Sequence, residues 1–291
     1  MGHATKRRVR VPAMVLVCTA LASVGCDSIL GLDDYTSAAP QTATTASTGG
    51  GGTGGVGGGS EPPSTYLDAV MADMPAAYWR LGDATGRAEL TVKNEAATID
   101  GVLSGPFVLG VKGLLATDEQ DTAVALGDGA GLDAGNNFDF HSLSPFTIEL
   151  WLKPSAIDEG RNLVRKLDLD PTYGYEGWQL SIGQSPTSAV VLMDRWLDGA
   201  VDTAEMGPLA EQATVYVAAT YDSAQICVYL DDLAPACVPS TKSVKAHGAS
   251  LLVGFVGTSG GFEGVIDELA IYTHALTPQR IREHYLAGNG P

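Results

Sequence analysis

The chain has 291 residues, enough for one large all-β domain or two small ones, and 36 of them are glycine. With 34 acidic against 17 basic residues it carries a formal charge of -17, which disfavours nucleic acid and anionic membrane surfaces as partners. The same balance suits divalent cations and neutral or cationic ligands. In chain order, the first element is a basic segment, Lys6-Arg7-Arg8-Val9-Arg10, followed by an apolar stretch of fourteen residues, 11–24, broken only by Thr19 and Ser23. So short an apolar stretch reads as a cleaved signal peptide, and no other segment approaches the roughly 18 apolar residues a membrane span requires.

The leader ends in Ser23-Val24-Gly25-Cys26, which resembles the lipobox of bacterial lipoproteins. That resemblance implies lipidation of Cys26 as the first residue of the mature chain; Ser23 departs from the pattern, which prefers leucine there. The alternative is an ordinary cleaved leader with an incidental cysteine. Cleavage removes four basic residues, leaving 13 against 34 acidic and a formal charge of -21. Residues 36–60 contain no charged side chain, and nine of the eleven positions 49–59 are glycine. Such a composition cannot bury a core and forms a flexible coil with a reach of about 25–30 Å. The expected organisation is a signal peptide over residues 1–25, a lipid-anchored linker over 26–65 and a folded domain over 66–288. The product is exported and held by its lipid at the outer membrane or cell surface, with a periplasm-facing position as the alternative.

From Tyr66 onward the pattern is short strands broken by Gly, Asp, Asn and Pro. Strands are expected over residues 76–82, 124–126, 146–154, 162–167, 177–182, 189–193, 214–221, 251–254 and 264–272. Cys227 and Cys237 flank a hairpin whose tip is Asp231-Asp232-Leu233; a three-residue loop sets them directly opposite each other, which favours a disulfide in an exported chain. Two buried free thiols are the alternative. In the last strand Val265, Asp267, Leu269 and Ile271 alternate with Ile266, Glu268, Ala270 and Tyr272, so adjacent Asp267 and Glu268 are expected on opposite faces. Thr277 caps a final helix with Pro278 as its first residue and Gly288 at its close.

Tyr78-Trp79-Arg80-Leu81-Gly82-Asp83, residues 146–154, Gly177-Trp178, residues 217–222, Val228-Tyr229-Leu230-Asp231-Asp232 and residues 264–272 stand in this order along the chain. In that order they resemble the laminin-G-like domains of the concanavalin A-like lectin and glucanase superfamily, over about residues 66–288. The resemblance implies an all-β fold: a two-sheet antiparallel jelly-roll sandwich with a short C-terminal helix. It also implies, in many relatives, one structural calcium ion tying the exit of the first strand to the last strand. Here that assigns Asp83 and Asp267 as metal ligands, with Asn94 or the Gly101 carbonyl completing the set. Asp83 stands where relatives commonly have glutamate and is one carbon shorter.

The glucanases of that superfamily array three carboxylates along one strand, and no such array exists here: Glu149 stands alone on its strand. Asp118-Glu119-Gln120-Asp121 reads as a solvated charge cluster in a turn. No nucleophile elbow, phosphate loop or zinc motif is present, so a non-catalytic module is expected, with a glycoside hydrolase relative as a further alternative. Trp79, Trp151 and Trp178 belong to the core by their strand positions. Trp196, charge-flanked after a strand, and Tyr173 and Tyr175, in a turn-rich loop, are the candidate ligand contacts. Their alternative role is to cover an edge of the sandwich. The expected partner is extracellular or envelope carbohydrate, or else a surface protein in an adhesion or assembly role. Nothing in the sequence sets the oligomeric state.

Overall fold

The computed structural model describes residues 65–82, 89–97, 99–158, 160–254 and 260–291; the leader, Cys26, the linker as far as residue 64 and Asp83 lie outside them. Helix α1 (Tyr66–Ala72) opens the described chain and α2 (Pro278–Asn289) closes it. Between them run two antiparallel eight-stranded sheets. The first contains β1 (Ala77–Trp79), β4 (Phe107–Lys112), β5 (Thr122–Leu126), β7 (Phe146–Pro154), β12 (Val215–Tyr221), β13 (Gln225–Leu230), β14 (Ala236–Pro239) and β16 (Gly264–Tyr272). The second contains β2 (Glu89–Val92), β3 (Gly101–Ser104), β6 (Gly131–Asp133), β8 (Arg161–Asp170), β9 (Gly174–Gln184), β10 (Ala189–Leu197), β11 (Ala200–Leu209) and β15 (Leu252–Val253). Their orders are β14-β13-β12-β7-β16-β5-β4, with β1 also on β16, and β11-β10-β9-β8-β15-β6-β3-β2. This is the expected sandwich with its short C-terminal helix.

Period-two alternation divides each strand between two surroundings. On β7, Phe146, Ile148, Leu150 and Leu152 enter the core between the sheets, where they meet Trp178, Leu180, Ile182 and Met193 of the second sheet. The opposite side of β7 carries Thr147, Glu149 and Trp151. There the first sheet is covered by the two helices: Tyr66 and Val70 of α1 and Ile281 of α2 pack with Trp151, Tyr216 and Tyr272. Thr277 caps α2, accepting from Arg280 N, and Pro278 opens the helix as expected. Gly288, expected to end the helix, lies inside it; a Cβ there would sit 2.5 Å from Trp151 Cζ2, so a bare backbone is what lets α2 dock. Gly290, at φ 81°, is the cap. Among the described residues no helix is long and apolar enough to cross a membrane.

Helix α1 and strands β2, β3, β4, β6 and β11 were not anticipated from periodicity. Helix α1 lies where strands were expected to begin. Strand β11 was not anticipated, because Gly207-Pro208 interrupts its pattern; as the edge of its sheet it tolerates the missing amide donor. The hairpin register pairs Cys227 with Cys237, which form the disulfide.

The alternation in β16 breaks at a bulge. Asp267 pairs with Trp151 and Ala270 with Glu149, so Glu268 and Leu269 together face the single Leu150. Glu268 adopts the left-handed conformation, φ 53°. The phase therefore shifts by one: Ile266, Leu269 and Ile271 enter the core between the sheets, and Val265, Ala270 and Tyr272 face the helices. Asp267 and Glu268 consequently converge instead of pointing to opposite faces.

Glu149 is fully buried, and its cross-strand neighbours are both alanine, Ala218 and Ala270. The space they leave is filled by hydrogen-bond donors. Tyr216 Oη donates to Oε2, Tyr272 Oη to Oε1 at 2.6 Å, and His284 Nδ1 lies 3.0 Å from Oε2. His284 Nε2 is 3.0 Å from Asp73 Oδ2, at the end of α1, and Arg280 Nε donates to the same oxygen at 2.8 Å. With a carboxylate at each ring nitrogen, both nitrogens must carry protons, which makes the group an imidazolium. Burial works against both charges. It raises the Glu149 carboxyl, but the His284 charge and the three donors outweigh it and hold the group below its ordinary 4.5. It lowers His284, but Glu149 and Asp73 outweigh it and hold the imidazole above 6.5.

The two stabilising contributions have opposite limits. That of Glu149 is present above pH 4.5 and is lost as pH falls through its lowered folded value. That of His284 is complete below pH 6.5 and is lost as pH rises through its raised folded value. Thermal melting is thus expected to show this network most stabilising between those limits. Glu149→Gln, which leaves His284 facing a neutral amide, is expected to cost about 3–5 kcal/mol in denaturant unfolding and to flatten the profile. An unchanged profile in the variant would show that another group dominates it.

Candidate functional site

The helices cover the first sheet, so the second is where a broad sheet face remains open among the described residues. Strands β8, β9, β10 and β11 present one outward row there: Arg165 pairs with Gln179, Gln179 with Asp194 and Asp194 with Thr203. Asp194 is nearly buried because its neighbours close over it: Gln179 Nε2 donates to Oδ2 at 2.8 Å and Thr203 Oγ1 to Oδ1 at 2.6 Å. Two residues further along β10, on the same face, stands Trp196. Its ring meets that of Tyr175 edge-on, with centroids 5.4 Å apart and planes at 65°. Tyr175 is exposed and Trp196 half-buried, and exposed Leu169 and Val201 extend the apolar surface. Tyr173 sits in the adjoining turn, with Lys245 Nζ 5.4 Å from its ring centroid. An aromatic corner beside a row of fixed polar side chains can stack a flat apolar ring face and hydrogen-bond its rim.

A second feature lies at the bulge. Asp121, Asp267 and Glu268, all buried, offer oxygens within 4.8 Å of one another. Arg80 closes one side: Nη2 is 2.9 Å from Glu268 Oε1 and 3.6 Å from Asp121 Oδ1. Asp267 Oδ2 accepts from Leu114 N at 2.8 Å, whereas Oδ1 is buried with no hydrogen-bond partner. Tyr78 donates to Glu268 Oε2. Burial raises all three carboxyls: Asp267, driven further by Asp121 and Glu268, well above the ordinary range, Asp121 less so, and Glu268 to about 7. Asp121 also borders a polar cleft of about 290 Å³ lined by Arg80, Lys93, Glu95 and Asp118.

Three carboxylates against one guanidinium leave two charges to balance, by shared protons or by a divalent cation. The orphaned Asp267 Oδ1 and the clustered oxygens fit a hard cation that takes oxygen ligands. Asp267 and Glu268 are sealed from solvent, so of the three only Asp121 faces the cleft, whose wall also carries Glu95 and Asp118.

The structure brings Trp196 and Tyr175 together, with Tyr173 beside them, and corrects their setting. Trp196 and Tyr175 are strand residues, in β10 and β9, not residues after a strand or in a loop. Trp79, Trp151 and Trp178 are core, as expected. Asp267 is in an oxygen-rich cluster; its proposed partner Asp83 lies outside the described residues. Asn94 is spent locally, its Oδ1 accepting from the backbone of Tyr78, Ala96 and Ala97. Asp121 is not a solvated turn residue but part of the cluster. Sequence inspection also missed Arg80, Glu268 and the Arg165–Thr203 row. Alternation across β9, β10 and β11 could have found the row had β11 been recognised; nothing local signals the bulge.

Solved structures are similar in fold. Domain 4 of AbnA, a GH43 extracellular arabinanase from Geobacillus stearothermophilus, in complex with arabinotriose, superposes with a TM-score of 0.53 at 16% identity, covering 72% of this chain and 98% of that one. The binding domain of Paraclostridial Mosquitocidal Protein 1 gives 0.51 at 11% identity, over 74% of this chain and 52% of that one. A Trypanosoma rangeli sialidase gives 0.52 at 13% identity, over 74% of this chain but only 32% of the enzyme. No curated protein matches the sequence. The family model matches residues 119–282, more than half of the chain, which therefore belongs to the Concanavalin A-like lectin/glucanases superfamily.

Proposed function

We propose that the chain is a non-catalytic module that binds carbohydrate on the open face of its second sheet. The observation that carries this reading is the corner of exposed Tyr175 and half-buried Trp196, on the same sheet face as Arg165, Gln179 and Thr203. The arabinanase domain in complex with arabinotriose adds that a sandwich of this fold accommodates a sugar. Titration with soluble arabinan and other neutral polysaccharides tests it. Trp196→Ala is expected to weaken binding roughly tenfold or more, about 1.4 kcal/mol. Wild-type protein that ignores every glycan at millimolar concentration would remove the reading and leave a surface protein as the partner to seek.

A structural calcium ion belongs to the same proposal, held by Asp267 and Asp121 with Asp83 as a further ligand. It would supply the charge that the three carboxylates lack. Saturation to a hundredfold over Kd is worth about 2.7 kcal/mol, so the melting temperature is expected to rise by roughly 5–10 °C with calcium and to return with chelator. Asp267→Asn should abolish the rise, and a curve indifferent to both additions would leave protons as the balancing charge.

The leader and linker support an exported lipoprotein held at the outer membrane or cell surface, with the linker setting the module off the membrane. Palmitate labelling of cells is expected to mark the wild type and not Cys26→Ser. Equal labelling of the two would end the assignment.

A further inference from the structure

Away from the open sheet face, we propose that Lys166 and Asn136 condense with each other into an isopeptide bond, with Asp139 as the catalytic residue that moves the protons. Lys166, on β8, is fully buried. Its Nζ donates to Asn136 Oδ1 at 2.5 Å and to the Ala249 carbonyl, and Asp139 Oδ1 lies 3.1 Å away. The Asn136 carbonyl carbon is one bond of about 1.23 Å beyond its oxygen, so the amine is at most about 3.7 Å from it. Reacting atoms in a near-attack arrangement stand about 3–3.5 Å apart, which this contact allows.

The connection from β6 to β7 holds the amide and the carboxylate in place. Gly135 N donates to Asp133 Oδ1 at 2.8 Å and Asn137 Nδ2 to the Ala134 carbonyl at 2.6 Å, which ties the turn on both sides of Asn136. Trp178, the cross-strand neighbour of Lys166, donates from Nε1 to the Phe138 carbonyl at 3.1 Å. Phe138 and Phe140 are both left-handed, at φ 60° and 44°, and Phe140 stacks on Phe146 with centroids 4.5 Å apart. Bulky residues resist that conformation, so packing and not local preference sets where Asn136 and Asp139 stand.

Asp139 is the group placed to take a proton from Nζ: its Oδ1 is buried beside the amine and has no hydrogen-bond partner. His247 is also close, but burial and the Lys166 charge hold its imidazole below 6.5. Its Nδ1 accepts from Ala249 N at 3.3 Å, so the neutral ring carries its proton at Nε2 and has no lone pair left for another. Once Asp139 takes the proton, the Nζ lone pair forms a bond to Asn136 Cγ and the carbonyl pair moves onto Oδ1. That pair returns as the Cγ–Nδ2 bond breaks, and Nδ2 leaves with the bonding electrons and the proton from Asp139, as ammonia. The new nitrogen sheds one more proton through Asp139 to the ammonia, giving ammonium and restoring the carboxylate. One of the three lysine hydrogens stays on the isopeptide nitrogen, and the ammonium takes the other two with the two of the amide. Asn136 is exposed, which gives ammonium a way out, while burial of Lys166 shields the bond from hydrolysis. The link would fasten the β6–β7 connection to β8 across 30 positions of sequence.

Peptide mass spectrometry of the purified full-length protein, denatured and digested with trypsin, tests the proposal. The expected product is a branched peptide joining the Asn136 and Lys166 segments, one ammonia lighter than the two together and uncut after Lys166. Asn136→Ala and Lys166→Arg should each abolish it. Asp139→Ala should leave the two segments separate in protein that still melts cooperatively. Segments recovered separately at their sequence masses from the wild type would overturn the proposal and leave Lys166 an ammonium held by three oxygens. The wild-type masses decide the bond even where a variant fails to fold. A full yield of branched peptide from Asp139→Ala would overturn the role of Asp139 while the bond itself stood.

Discussion

A single ionised carboxylate in the middle of β7 organises one side of this protein. Glu149 sits on a strand among the buried side chains of Ile148, Leu150 and Trp151, and an unpaired charge there would cost several kcal/mol. Its partners come from everywhere within reach: Tyr216 on β12, Tyr272 on β16 and His284 on α2. Through His284 the requirement passes to Asp73 at the end of α1. The alanines on either side of Glu149 make room for these partners, and Gly288 lets α2 come down onto Trp151. Both helices are thereby committed to the first sheet, which leaves the second sheet available for a ligand.

The bulge in β16 is the second constraint. One extra residue, accommodated by a left-handed Glu268, brings two adjacent carboxylates onto the same side of the strand. Asp121 joins them from the turn before β5, and Arg80 supplies only one positive charge. The cost of the strained backbone and of three buried carboxyls is borne at a point where β1, β5 and β16 meet. Whatever balances the remaining charge therefore ties those strands together.

The open sheet has the opposite character. Its outward side chains are held by each other rather than by a covering layer: Asp194 fixes Gln179 and Thr203, and Trp196 leans on Tyr175. Side chains locked in this way lose little freedom when a ligand arrives, which favours recognition by a preformed surface.

Much of the architecture was legible from local signals. The alternation of residues 146–154, the Cys227–Cys237 hairpin register and the Thr277-Pro278 helix start all rest on neighbours in sequence, and each took its expected place. The candidate ligand aromatics were legible in part: Trp196 and Tyr175 stood out for their flanking residues, though their strand positions did not. The sequence by itself determined the composition of the strands, the disulfide and the aromatic residues left over from the core. Only the tertiary structure decided which carboxylates meet, because a bulge changes the phase of a strand without changing its residues. It alone decided, too, which sheet the helices cover, because that depends on partners for Glu149 that lie more than sixty positions away along the chain.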